Sequence, residues 1–196
     1  MKKIFVLGFC LLLAVPVMAK QQTLAAEGFE SGGYGGPIFS YGSVKGNGAL
    51  FMGGEGGWIA NKTFILGGEG WGLISNINAN SVHTGSNGKV EVGCGGLKLG
   101  VILNSDAITH LVVHTLIGWG SVSYKPANGD ATDVSNITII EPGVDYEVNV
   151  APFFRIALRG TYRIVSGVDS TPGLSNADLS GANIGVVLKF GNFGKE

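Results

Sequence analysis

Residues 153–166 read FFRIALRGTYRIVS, and the spacing of charge in this stretch restricts the fold more than any other feature. Taken two apart, Phe153, Arg155, Ala157, Arg159, Thr161 and Arg163 share one face. Phe154, Ile156, Leu158, Gly160, Tyr162 and Ile164 share the other. The preceding ITIIEPGVDYEVNV does the same: Glu141, Asp145, Glu147 and Asn149 lie opposite Ile140, Pro142, Val144, Tyr146, Val148 and Val150. A period of two is that of a β-strand, because successive side chains point to opposite sides of the sheet. Two folds fit such a sheet. A soluble sandwich or barrel puts the oil inside and the charge in water. A closed transmembrane barrel puts the charge inside and the oil in lipid.

Two observations favour the second. Three arginines face three acids on adjacent strands with no lysine-rich face, which suits fixed pairing better than solvation. The oily faces also carry Trp58, Phe64, Trp119, Tyr146, Tyr162 and Phe190 towards strand ends, as interfacial girdles do. Closure would remove the exposed sheet edges as well. Mean hydropathy is +0.32 and only 14% of residues are charged, yet 34 are glycine with no collagen period.

The alternation predicts eight strands, at about 33–44, 48–60, 64–75, 88–103, 108–125, 136–150, 153–166 and 181–193, and no amphipathic helix. The turns at 61–63, 104–107 and 151–152 are short. Those of NINANSVHTGSNG, PANGDATDVSN and GVDSTPGLSNADLS, after strands 3, 5 and 7, are long and polar. Short and long alternate, as in hairpins with one end in the periplasm and the other outside. The short Lys45-Gly46-Asn47 connection breaks the contrast.

Residues 1–19 read as a secretory signal peptide: Lys2 and Lys3, an apolar run from Ile4 to Val17, then Val17-Met18-Ala19 before polar Lys20. A polar segment at 20–31 and a barrel domain at 32–196 complete the expected organisation. Cleavage leaves eleven basic residues against fourteen acidic ones, a net charge of about −3, and no footprint for nucleic acid. Cys94 is then the one remaining cysteine, so no internal disulfide is expected.

Glu55 and Glu69 sit in repeated settings, MGGEGGW and LGGEGW. A three-residue turn at 61–63 pairs Ala60 with Phe64 and places the two glutamates opposite each other. A two-residue turn would put one of them in lipid, at a cost of a few kcal/mol at most depths. With both inside, Trp58, Leu66, Met52, Leu50 and Phe64 face out. The expected inward charges balance: Glu55, Glu69, Glu141, Asp145 and Glu147 against Lys98, Arg155, Arg159, Arg163 and Lys189. Like charges opposite each other repel, so Arg155 or Arg159 is expected to bridge the two glutamates with its fork of donors. The glycines at 53, 54, 56, 57, 67, 68, 70 and 72 are read as room for long side chains and as points of tight bending.

Other chemistries have thinner support. A carboxylate pair can serve acid–base catalysis or hold a divalent cation, but buried ion networks are more often structural. His110 and His114 share a face about 13 Å apart, too far to share a metal, and read as polar lumen residues. His114 with Ser121 or Ser123 would suit a lipid-modifying enzyme. His83 lies in a long loop, and Cys94 reads as a small inward packing residue. No catalytic, cofactor or metal residue is assigned.

The layout resembles the small eight-stranded outer-membrane barrels of the OmpA/OmpX-like class over most of the mature chain. Asn183-Ile184-Gly185-Val186-Val187-Leu188-Lys189-Phe190 fits that class's final-strand assembly signal, carried by Asn183, Gly185, Leu188 and Phe190. Glu141-Pro142-Gly143, Asn149-Val150, Phe154-Arg155 and Tyr162-Arg163 look like uncharacterised outer-membrane barrel proteins of Gram-negative bacteria. Members typically end on an aromatic residue, whereas Phe193 is followed by Gly194-Lys195-Glu196. The resemblance implies an all-β, closed, antiparallel up-and-down barrel in the bacterial outer membrane. Its partners would be outer-membrane lipid, the barrel assembly machinery and a surface ligand held by the loops after strands 3, 5 and 7. Eight strands leave no wide channel, so a general porin is not expected. The function expected is structural or in surface interaction; the alternatives are a lipid-modifying barrel enzyme and a soluble secreted β-protein.

Overall fold

A computed structural model describes residues 29–77, 88–126, 132–171 and 173–194. Eight strands follow in chain order: β1 (Ser31–Val44), β2 (Asn47–Ala60), β3 (Phe64–Leu73), β4 (Gly88–Leu103), β5 (Thr109–Pro126), β6 (Thr132–Ala151), β7 (Phe154–Ser166) and β8 (Gly181–Asn192). Each pairs antiparallel with its sequence neighbour, and β1 pairs with β8, so the sheet closes as an up-and-down barrel. Strand β1 starts one residue inside the segment expected to precede the barrel, and β6 starts four residues earlier than its alternation indicated. The signal peptide at 1–19, most of the polar segment and His83 lie outside the described residues.

The turns at 61–63, 104–108 and 152–153 lie at one end of the barrel, together with the start of β1 and the end of β8. The three long connections and the Lys45–Gly46 turn lie at the other. In β6, Pro142 has no N–H to donate, and the β6–β7 pairing skips from Ile140↔Ile164 to Gly143↔Thr161.

The wall is apolar outside. Leu50, Met52, Trp58, Phe64, Leu66, Trp119, Tyr146, Leu158 and Tyr162 are all exposed on it. A soluble sandwich is excluded by this arrangement, since its oil would face in. Phe153, expected on the charged face, is 63% exposed in the β6–β7 turn; the turn takes it out of the alternation.

The interior has three layers. At the long-loop end an apolar cluster includes Val44, Phe51, Trp71, Leu116, Val122 and Ile139. At the opposite end Tyr34, Ile59, Ile65, Ile102, Val112 and Phe193 form a second. Charged side chains fill the middle. The β7–β8 connection carries a short helix that the alternation did not indicate, α1 (Asn176–Leu179), capped by Ser175 and Asp178. Leu174 and Leu179 from this connection are buried in the upper cluster, and Lys45 Nζ donates to the Gly173 carbonyl at 2.8 Å.

The glycines divide by face. Gly53, Gly57 and Gly67 alternate with buried Glu55, Ile59 and Glu69 and point inward; Gly54, Gly56, Gly68, Gly70 and Gly72 point outward. A Cβ on Gly53 would stand 2.1 Å from the Gly70 carbonyl oxygen, and one on Gly36 1.7 Å from that of Leu188. On outward Gly54 and Gly72 the nearest atoms would be 3.6 and 3.8 Å away. Tight curvature crowds the concave side of a sheet and opens the convex side. The expectation that all eight glycines make room inside therefore holds for three of them.

Candidate functional site: the charged layer inside the barrel

The turn at 61–63 pairs Ala60 with Phe64, and the register carries Glu55 to the position opposite Glu69. Both carboxylates point inward and are buried. Lys98, on β4, reaches both from the same side, 2.5 Å from Glu55 and 3.1 Å from Glu69. Arg159, on β7, reaches them from across the lumen: Nη2 donates to Glu55 at 2.6 Å and Nη1 to Glu69 at 3.0 Å. Its Nε donates to Asp145 at 2.6 Å. One guanidinium thus serves three carboxylates through a planar fork of donors.

Lys189 extends the network from β8. Its ammonium lies 3.3 Å from Glu55 and 3.0 Å from Asp145, and it also donates to Glu147. Arg155 is 3.7 Å from Glu147, with its guanidinium 3.9 Å from the centre of the Phe193 ring. It does not bridge Glu55 and Glu69; of the two arginines expected to, Arg159 does. Eight of the ten expected charges belong to this network.

The other two form a separate pair nearer the upper cluster. Arg163 Nε donates to Glu141 at 3.3 Å, and Thr161 donates to the same carboxylate at 2.6 Å. The Arg163 guanidinium lies between two rings, 4.2 Å from Phe51 and 3.8 Å from Trp71. Such contacts hold a desolvated cation by the ring quadrupole. Asn183 accepts from Arg163 at 3.2 Å.

The alternation reads His110 and His114 as polar lumen residues but leaves them out of the charge balance; both are buried inside. His110 Nε2 is 3.1 Å from Glu147, and His114 Nε2 is 3.0 Å from Asp145. Those partnerships rest on the β5–β6 register, which sets His110 directly opposite Glu147. Ser121 and Ser123 stand on the outer face of β5 whereas His114 points inward, so the His114–Ser arrangement of an enzyme does not form. An odd separation in a strand puts two residues on opposite faces. In β8, Asn183 and Gly185 face in, and Leu188 and Phe190 face out. Phe190 stacks on Phe154 at 4.8 Å. Phe193 turns into the lumen and stacks on Tyr34 at 6.3 Å.

The space bordered by Glu69, Trp71, Glu141, Arg159, Thr161 and Asn183 is about 10 Å³, at the lower limit for one water. Among the described residues, no group of three or more His, Cys, Asp or Glu side chains is placed to hold a metal ion. What the layer does physically is cross-link. Its members come from β2, β3, β4, β5, β6, β7 and β8, and they hold opposite walls together.

The chain superposes on Neisserial surface protein A (NspA) with a TM-score of 0.51 and 10% identity, over 83% of this chain and 96% of NspA. The fold is that of the small eight-stranded outer-membrane barrels. Ail, the attachment invasion locus protein of Yersinia pestis, solved with the heparin analogue sucrose octasulfate, has a TM-score of 0.49 and 14% identity, over 85% of this chain and 97% of Ail. No protein-family model and no curated protein sequence matches the chain.

Proposed function

We propose that this protein is an integral component of the bacterial outer membrane, with a closed, non-conducting barrel and a role in wall structure or in contact at the cell surface. The observation that carries this reading is the inversion of the barrel: apolar side chains outside, ten acidic and basic side chains buried inside. A water-soluble protein gains nothing from that inversion. In lipid it satisfies both the hydrocarbon and the backbone, because a closed barrel leaves no unpaired edge. The short turns and chain ends then face the periplasm, and the long connections face outward.

Loops after strands 3 and 5 remain the candidates for surface contact, although residues 78–87 and 127–131 lie outside the described residues. The loop after strand 7 is a third candidate, and Leu174 and Leu179 anchor it in the upper apolar cluster. The final-strand residues Asn183, Gly185, Leu188 and Phe190 are proposed as the element read by the barrel assembly machinery.

The test is fractionation of the expressed protein, then gel migration with and without boiling, then conductance in a planar bilayer. Outer-membrane recovery, heat-modifiable migration and no stable open channel are expected. A soluble periplasmic protein that needs no detergent would overturn the reading.

A further inference from the structure

The buried ions fall into two groups, with a small space where they meet. Glu69 and Arg159 belong to the larger network. Glu141, Thr161, Arg163 and Asn183 form the smaller one. Among the described residues no hydrogen bond or ion pair joins one group to the other. The two are one inward step apart. Glu69 and Trp71 are successive inward residues of β3, and Arg159 and Thr161 are successive inward residues of β7. The space of about 10 Å³ is bordered by these four together with Glu141 and Asn183.

Trp71 carries an unmet donor. It is 7% exposed, and its indole N–H is buried with no hydrogen-bond partner among the described residues. A buried donor without an acceptor is costly. The ring is not free to turn towards another partner. The Arg163 guanidinium lies 3.8 Å from the ring centre, and Phe51 meets the ring edge-on at 5.2 Å.

Acceptors border the same space. Lys98 and Arg159 both meet Glu69 through Oε2. Glu141 receives Thr161 on Oε1 and Arg163 on Oε2. A carboxylate oxygen has two lone pairs, so both side chains can accept again.

Chemistry selects the occupant. It must accept from an indole N–H and donate to carboxylates. A metal cation cannot accept, and the acids it would meet already have partners, Arg163 for Glu141 and Lys98 and Arg159 for Glu69. An anion would face two carboxylates. A water both accepts and donates, and this space is about the smallest that holds one.

We infer that a single water is held in this space, accepting from Trp71 Nε1 and donating to Glu69 and Glu141. It joins the two groups of ions. The hydrogen-bonded column then runs without a break from Arg155 through His110, Glu147, Lys189, Asp145, Arg159 and Glu69 to Glu141 and Arg163.

The test uses the protein folded in detergent micelles with isotopically labelled tryptophan. The chain has three tryptophans. Trp58→Phe and Trp119→Phe, both on the outer wall, identify the Trp71 indole signal by elimination. The readout is magnetisation transfer from water to each indole N–H, in which the sign of the cross-peak separates a held water from proton exchange. A Trp71 cross-peak of the held-water sign is expected, equal in sodium chloride and in choline chloride. Ser40→Ala and Thr161→Val remove hydroxyls that border the space and could relay such a signal; the cross-peak is expected to survive both. Glu69→Gln and Glu141→Gln are each expected to move the Trp71 indole proton upfield, because a water polarised by a carboxylate is the better acceptor. Absence of the cross-peak in the native protein overturns the site, whether or not the variants fold. A signal that follows sodium assigns the space to a cation and overturns the water. Loss of the cross-peak in either hydroxyl variant overturns it as well, and a shift with only one glutamine variant overturns the bridge.

Discussion

The two halves of the barrel reach the same closed wall by different means. Strands β1 to β4 are built on glycine, with small inward positions at Gly36, Gly53, Gly57, Gly67 and Gly96 and few long side chains crossing the lumen. Strands β6 to β8 carry the long side chains: Arg155, Arg159, Arg163 and Lys189, with Glu141, Asp145 and Glu147 beside them. Only Glu55, Glu69 and Lys98 come from the glycine half, and Arg159 meets both glutamates. The narrow lumen can hold one large side chain at a given height, so one wall must be bare where the other projects. Glycine opposite arginine is packing complementarity across a barrel, as large opposite small is in a soluble core.

The sharpest way to break that complementarity is Arg159→Met. It leaves Glu55, Glu69 and Asp145 buried with Lys98, Lys189 and His114 as their remaining partners, and should cost about 3–5 kcal/mol of unfolding free energy in a urea titration of the detergent-folded protein. A loss below 1 kcal/mol would mean that the two halves are not joined through this residue. Next comes α1, which packs on β7 and on β1, one strand from each half. Leu179 is 1% exposed, and Leu179→Ala should cost about 2–4 kcal/mol. Digestion by an added protease should then begin in the 167–180 connection; unchanged protection there would place the anchorage of that connection elsewhere.

The glycine half offers a paired test of the concave and convex sides. Gly53→Ala drives a Cβ against the Gly70 carbonyl and should cost about 1–3 kcal/mol. Gly54→Ala, one residue along, meets nothing closer than 3.6 Å and should change stability by no more than about 0.5 kcal/mol. Equal effects at the two positions would refute crowding as the reason for the inward glycines.

Much of the charged layer could be read in advance, and the reason is local. Alternation in FRIALRGTYRIV fixes which residues share a face, and the length of the 61–63 turn fixes the register of β2 on β3. Those two facts suffice to set Glu55 opposite Glu69. What they leave out is depth and partnership across the lumen. Arg155 and Arg159 are equivalent in the pattern, but the stagger of β7 against β6 sets Arg159 beside Asp145 and Arg155 near the Phe193 end. The histidines were legible as lumen residues, but their carboxylate partners were not, because imidazole carries no fixed charge and a count of ions does not include it. The division of the glycines was hidden because a residue without a side chain leaves no mark in a hydropathy pattern; its face follows only from its neighbours.

The sequence by itself determined the strand period, the face of every long side chain in β6 and β7, the balance of five acids and five bases, and the outward apolar surface. These follow from a two-residue repeat and from the cost of placing charge in hydrocarbon. Tertiary structure alone decided that the charges lie in a middle layer between two apolar clusters, that Arg159 joins three carboxylates, and that Leu174 and Leu179 of the last long connection pack into the upper cluster. Those depend on which side chains from distant strands reach the same height in a closed barrel, and height is set by the stagger of all eight strands together.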